Sequence, residues 1–75
     1  MYLNTGSTLI FIETVKIIGK TLKISNSSVT LEYYYKDNED AQLAFDIVFT
    51  ELNGGRHTLD CCALPEPITQ NYENR

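Results

Sequence analysis

The stretch Glu51-Leu-Asn-Gly-Gly-Arg-His-Thr-Leu-Asp-Cys-Cys62 holds the chain's only histidine and both of its cysteines. An imidazole beside a thiol can make a nucleophile–base pair, and an imidazole with two thiolates can ligate zinc. Spacing decides whether either is feasible. On a strand, His57 and Cys61 share a face but lie about 13 Å apart, at a rise of ~3.3 Å per residue. Zinc, with bonds of about 2.0–2.3 Å, cannot reach both. Cys61 and Cys62 then point to opposite faces, which predicts neither chelation nor a disulfide. Cys61 is expected to pack as a small buried hydrophobe. Asp46, facing Cys62, would discourage a thiolate. The expected neighbour of His57 is Glu51. No Walker loop, dinucleotide fingerprint or nucleophile elbow occurs in the sequence. The expectation is therefore no catalytic residue, no metal ligand and no cofactor.

A second group could bind rather than react. Lys16, Lys20, Lys23 and Lys36, with an outward Tyr34, could contact the phosphates and stack on the bases of single-stranded nucleic acid. Glu32, Asp46 and Asp60 share that expected face and oppose this use. Lysines along an edge strand also serve to discourage unwanted pairing. Asp37, Glu39 and Asp40 form an acidic turn, read as a solvated loop tip or an epitope for a basic partner.

The elements that would position these residues follow from turn clusters at 25–28, 37–40 and 53–55. The segment from Ala41 to Leu52 fits two periods. As a helix, Ala41, Ala44, Phe45, Val48, Phe49 and Leu52 form one stripe. As a strand, Leu43, Phe45, Ile47 and Phe49 line one face. Cross-strand register favours the strand. A hairpin loop at Asn53-Gly54-Gly55 places Phe49 against Leu59 and Ile47 against Cys61. A loop at Asn38-Glu39-Asp40 places Tyr33 against Phe45 and Leu31 against Ile47. A loop at Asn26-Ser27 places Leu22 against Leu31.

The predicted fold is all-β. A four-stranded antiparallel meander spans about 20–24, 29–36, 42–52 and 56–64. A long N-terminal strand, about 8–18, closes a small barrel or covers the sheet. Val15 and Ile17 have the opposite parity to Leu22 and Ile24, so Gly19 marks either a bulge or a tight turn with Lys20. Residues 1–64 make one domain, and 65–75 a polar, proline-containing tail.

Composition narrows function further. Seventy-five residues lie near the lower limit for an independent core, so self-association is an expected reinforcement. Net charge is +2 over residues 1–36 and −6 over 37–75, which argues against a general polyanion binder. The longest apolar runs fall far short of a membrane span, and no signal segment is evident. Two unstapled thiols predict a reducing, cytoplasmic setting. The expected function is that of a non-enzymatic protein-interaction module, a homo-oligomeric regulator, inhibitor or assembly subunit. The alternative is a nucleic-acid-binding small barrel using the lysines and Tyr34.

Overall fold

Leu22, Ile24, Leu31 and Tyr33 alternate with polar residues. In the computed structural model, which describes residues 1–74, they share one buried face of a four-stranded antiparallel sheet. Its strands are β3 (Thr14–Ile18), β4 (Thr21–Ser25), β5 (Val29–Tyr34) and β7 (Thr69–Asn74), in the order β3-β4-β5-β7. A second sheet has the order β2-β1-β6, with β1 at Tyr2–Asn4, β2 at Leu9–Phe11 and β6 at Thr58–Asp60. Helix α1 spans Asn38–Asn53 and packs over β3 and β4. The described residues are mostly β with one α-helix, and neither of their sheets closes into a barrel.

The N-terminal run is not one long strand. Its first part pairs antiparallel with β1, Leu3 opposite Ile10, and its second with β4, Val15 opposite Ile24. The transfer between sheets occurs at Ile12–Glu13: Ile12 N–H donates to Met1 C=O at 2.7 Å, and Glu13 N–H to Ser25 C=O at 3.0 Å. Gly19 carries no bulge. It has φ 61° and forms with Lys20 the two-residue loop joining Ile18 to Thr21. Glycine at the first central position suits such a loop, and the parity mismatch between Val15 and Leu22 is absorbed there.

The β4–β5 turn lies one residue further along than the sequence suggests, which shifts the strand register by two. Asn26 and Val29 close it around Ser27-Ser28, so Leu22 faces Tyr33 and Ile24 faces Leu31. A shift by two leaves every side chain on its predicted face, because the strand period is two. The Asn26 side chain fixes the turn. Its Oδ1 accepts from Ser28 and Val29 N–H at 2.7 and 2.8 Å, and its Nδ2 donates to Phe11 C=O at 2.6 Å.

Residues 42–52 are helix rather than strand, and both ends have chemical causes. Asp37 is the N-cap, its Oδ1 accepting from Asp40 N–H at 2.8 Å. Glu39 and Asp40 add negative charge at the positive end of the helix dipole. At the other end Gly55, with φ 76°, donates to Leu52 C=O, while Arg56 N–H donates to Glu51 C=O at 3.0 Å. That pair of bonds is a Schellman stop. The predicted hairpin loop at Asn53-Gly54-Gly55 is thus a helix terminus, since a left-handed glycine serves either purpose. Ala41, Ala44 and Val48 are buried against the sheet, and the two alanines let the helix backbone approach it closely.

Two further expectations are corrected by the chain's end. Of the predicted strand at 56–64 only Thr58–Asp60 is strand, and it runs parallel to β1, with Leu59 beside Leu3. A single 3₁₀ turn, Cys61–Ala63, follows. The predicted tail is the sheet's fourth strand, β7, paired with β5 from Tyr34–Thr69 to Val29–Asn74; Arg75 lies outside the described residues. Backbone pairing holds this strand, as all six of its side chains are exposed.

One core joins both sheets and the helix: Leu3, Ile12, Leu22, Ile24 and Val48 are essentially sealed from solvent. Each such aliphatic side chain contributes about 1.5–3 kcal/mol by leaving water.

Candidate functional site

The end of β6 sets the geometry of the two thiols. Asp60 is the N-cap of the 3₁₀ turn, and its Oδ1 accepts from Cys62 N–H at 3.1 Å. Cys61 and Cys62 therefore do not alternate across a strand. One donor atom each from Asp60, Cys61 and Cys62 lies within 4.8 Å of the others. Both cysteines are free thiols, Cys61 half-buried and Cys62 exposed. The Asp60 carboxylate, and next the Cys61 sulfur, push the Cys62 thiol above its ordinary range. Such a thiol is a poor nucleophile at neutral pH.

His57 stays apart from this group. Its Nδ1 is 3.0 Å from Thr58 Oγ1, and its ring lies 5.8 Å from that of Tyr2. Glu51, its predicted neighbour, pairs with Arg56 at 3.3 Å. Ile47 and Phe49 lie on α1, so neither faces the cysteines across a hairpin.

A cavity of about 370 Å³ lies beside the thiols, lined among others by Thr5, Tyr33, Cys61, Cys62, Glu66 and Gln70. Its volume is at the small end of ligand pockets. Burial pushes the Tyr33 hydroxyl up to about 12, with Cys61 adding to the shift. No residue pattern announces this cavity, since it needs β7 beside β5 and a chain that turns after Asp60.

The predicted lysine group is dispersed. Lys16 and Lys23 are directly opposite on the outer face of the four-stranded sheet, and Tyr34 shares that face. Lys23 Nζ pairs with Glu32 at 3.7 Å, and Lys36 with Asp40 at 3.8 Å. Lys20 occupies the β3–β4 loop. Glu32 dominates the centre of the face. It accepts from Tyr34 Oη at 2.9 Å and from Asn71 Nδ2 at 3.2 Å. Those two bonds, with Lys23, hold its carboxyl below the usual range, and Tyr34 is raised in turn by its bond to Glu32. Asp37 and Asp40 of the predicted acidic epitope are engaged in capping and in the Lys36 pair, and Glu39 lies with them in the first turn of α1.

The outer face of β2-β1-β6 has a different character. Tyr2, Leu9 and Phe11 lie on it, all substantially exposed. Tyr2 packs edge-on to Phe11 with ring centroids 5.2 Å apart and tilts toward His57 on its other side. Phe11, Tyr2 and His57 thus form an aromatic row across the sheet. Leu9 was expected within the covering strand; as a member of an outward patch it was not anticipated, because the sheet joins residues from both ends of the chain.

Among the described residues, no helix is long and apolar enough to cross a membrane. Compared with protein-family models, with curated proteins and with solved structures, the chain matches none.

Proposed function

We propose that the chain is a non-enzymatic protein-interaction module that self-associates through the outer face of β2-β1-β6, serving as an assembly subunit or regulator in a reducing, cytoplasmic setting. The observation that carries this reading is the exposed row of Phe11, Tyr2 and His57 with Leu9 beside it. Aromatic side chains supply large contact area at small entropic cost and dominate interface energetics. The occupant is a second copy of the chain. The face runs from His57 at one end of β6 to Asp60 at the other, so two copies stacked about a two-fold axis bring unlike ends together. A core of this size also gains from the added burial.

Sedimentation velocity over a wide concentration range tests the reading. The expected result is a concentration-dependent dimer that Phe11→Asp converts to a folded monomer. A wild-type chain that stays monomeric at the highest concentration overturns it, as does a dimer indifferent to Phe11→Asp.

The nucleic-acid reading has one supporting observation, the juxtaposition of Lys16 and Lys23 with Tyr34 on one sheet face. Glu32 weakens it by occupying Lys23 and Tyr34 together. Retention of short oligonucleotides at low salt, lost steeply as salt rises, would favour it over self-association.

A further inference from the structure

Three donors converge at the end of β6, where Cys61 packs against the core and Asp60 ends the outer face. Asp60 must fold back over the 3₁₀ turn to accept from Cys62 N–H, and this holds its carboxylate beside the two following side chains. The two sulfurs and a carboxylate oxygen already lie within 4.8 Å of one another. In a tetrahedral site with metal–sulfur bonds of about 2.3 Å, two sulfurs stand roughly 3.8 Å apart. The group is thus within small side-chain rotations of a ligand set.

We propose that Asp60, Cys61 and Cys62 bind one thiophilic divalent cation, of the zinc and cadmium class, with an open coordination position toward the adjoining cavity. Two soft sulfurs and one oxygen select such ions over magnesium or calcium, which require oxygen-rich shells. Three protein ligands leave a fourth position for water or a small anion, the pattern of exchangeable rather than closed structural sites. The cavity of about 370 Å³ is lined by both cysteines, so it has room for that fourth ligand. On binding, two sulfur–metal bonds form, each thiol gives its proton to the buffer, and no redox change occurs. Asp60 also ends the face proposed for self-association, so the titration is made at concentrations where the chain sediments as a monomer.

Cadmium titration of the reduced full-length chain reads the site directly, through the ultraviolet thiolate-to-metal charge-transfer band. The expected result is one ion per chain with a two-thiolate band, and Cys61→Ser and Cys62→Ser each halving its intensity. Loss of an outer-shell partner costs about 10–100-fold in metal affinity, and loss of a direct ligand no less. Each serine variant should therefore bind at least ~10-fold more weakly. Asp60→Asn keeps a side chain able to cap the turn, so its weaker binding reports ligation rather than misfolding. The same titration in urea supplies the unfolded reference. A band absent from the native chain, equal affinity in native and unfolded chains, or full affinity in Asp60→Asn overturns the proposal. Because the readout is absorbance per chain, failure here leaves the sedimentation result untouched, and the reverse also holds.

Discussion

The two sheets send one face each to a common core, yet their outer faces differ. On the four-stranded sheet that face is mostly polar, with Ile18 exposed at its edge, and its centre is satisfied from within. Glu32 gathers Tyr34, Asn71 and Lys23, and Thr14 hydrogen-bonds Ser25 across the strands at 2.8 Å. On the three-stranded sheet it carries Tyr2, Leu9 and Phe11, whose apolar surface water solvates poorly. A partner covering the first face would have to break several charge-assisted bonds. A partner covering the second removes exposed hydrocarbon at little polar cost. On that difference rests the proposal that self-association uses the smaller sheet.

Adjacent strands of the smaller sheet give the largest test. Leu3, in β1, is completely buried, whereas Leu9, in β2, is more than half exposed. Leu3→Ala should cost about 2–5 kcal/mol in urea denaturation at any protein concentration. Leu9→Ser should change monomer stability by no more than about 0.5 kcal/mol while weakening the dimer in sedimentation. Equal stability losses for the two would erase the distinction between inward and outward faces.

The tyrosines at the end of β5 carry the same contrast within one segment. Tyr33 and Tyr35 face the core and Tyr34 faces outward. Burial pushes Tyr33 and Tyr35 up from 10.0 to about 12. Their neutral forms favour the folded chain, so this stability is complete below pH 10.0 and is lost as pH rises through about 12. Spectrophotometric titration should show these two phenols ionising together with unfolding. The Tyr35 hydroxyl is also buried with no hydrogen-bond partner among the described residues. Leaving such a group unpaired costs about 1–3 kcal/mol. Tyr35→Phe is therefore expected to leave stability unchanged or raise it, as measured by thermal melting.

The helix covers the four-stranded sheet on its inner side, and its start depends on Asp37. Asp37→Ala should cost about 1 kcal/mol (range ~0.5–2) and reduce helical ellipticity on mild heating. Asp37→Asn should restore most of it, because an amide oxygen also caps. An acidic docking epitope would respond differently, losing partner binding in Asp37→Asn although the helix is retained.

The strands at Thr21–Ser25 and Val29–Tyr34 were legible because their apolar residues alternate, and a two-residue shift in register left every face correct. Ala41–Leu52 was not settled by its pattern, since Phe45 fits a strand face and a helix flank equally. The decisive cues were local. Asp37 stands three residues before Asp40, and the twelve residues from Ala41 to Leu52 make a run longer than a typical strand. Strand β7 was hidden because Thr69–Asn74 buries no side chain, leaving its backbone pairing with no trace in hydropathy. The parallel pairing of β1 with β6 spans most of the chain, and no turn residue announces it. The proximity of Cys61, Cys62 and Asp60 followed from where β6 stops. A strand read four residues past its true end separates the very atoms that a 3₁₀ turn brings together.

The smallest expected effect tests whether the polar face is held together by Glu32. Its carboxyl is held below the ordinary value of 4.5, first by the Tyr34 hydroxyl, then by Asn71 and Lys23. The ionised form favours the folded chain, so this contribution is present above pH 4.5 and disappears as pH falls through the lower, folded-state value. Glu32 is solvent-accessible and screened, so the effect is modest and shrinks with added salt. In Glu32→Gln the denaturation midpoint should decline less on acidification than in the wild type. Tyr34, raised chiefly by its bond to Glu32, should ionise at lower pH in the same variant, with Tyr33 and Tyr35 unmoved. If Tyr34 does not shift, the outer face is not organised by Glu32, and the polar sheet loses the feature that sets it apart from its apolar counterpart.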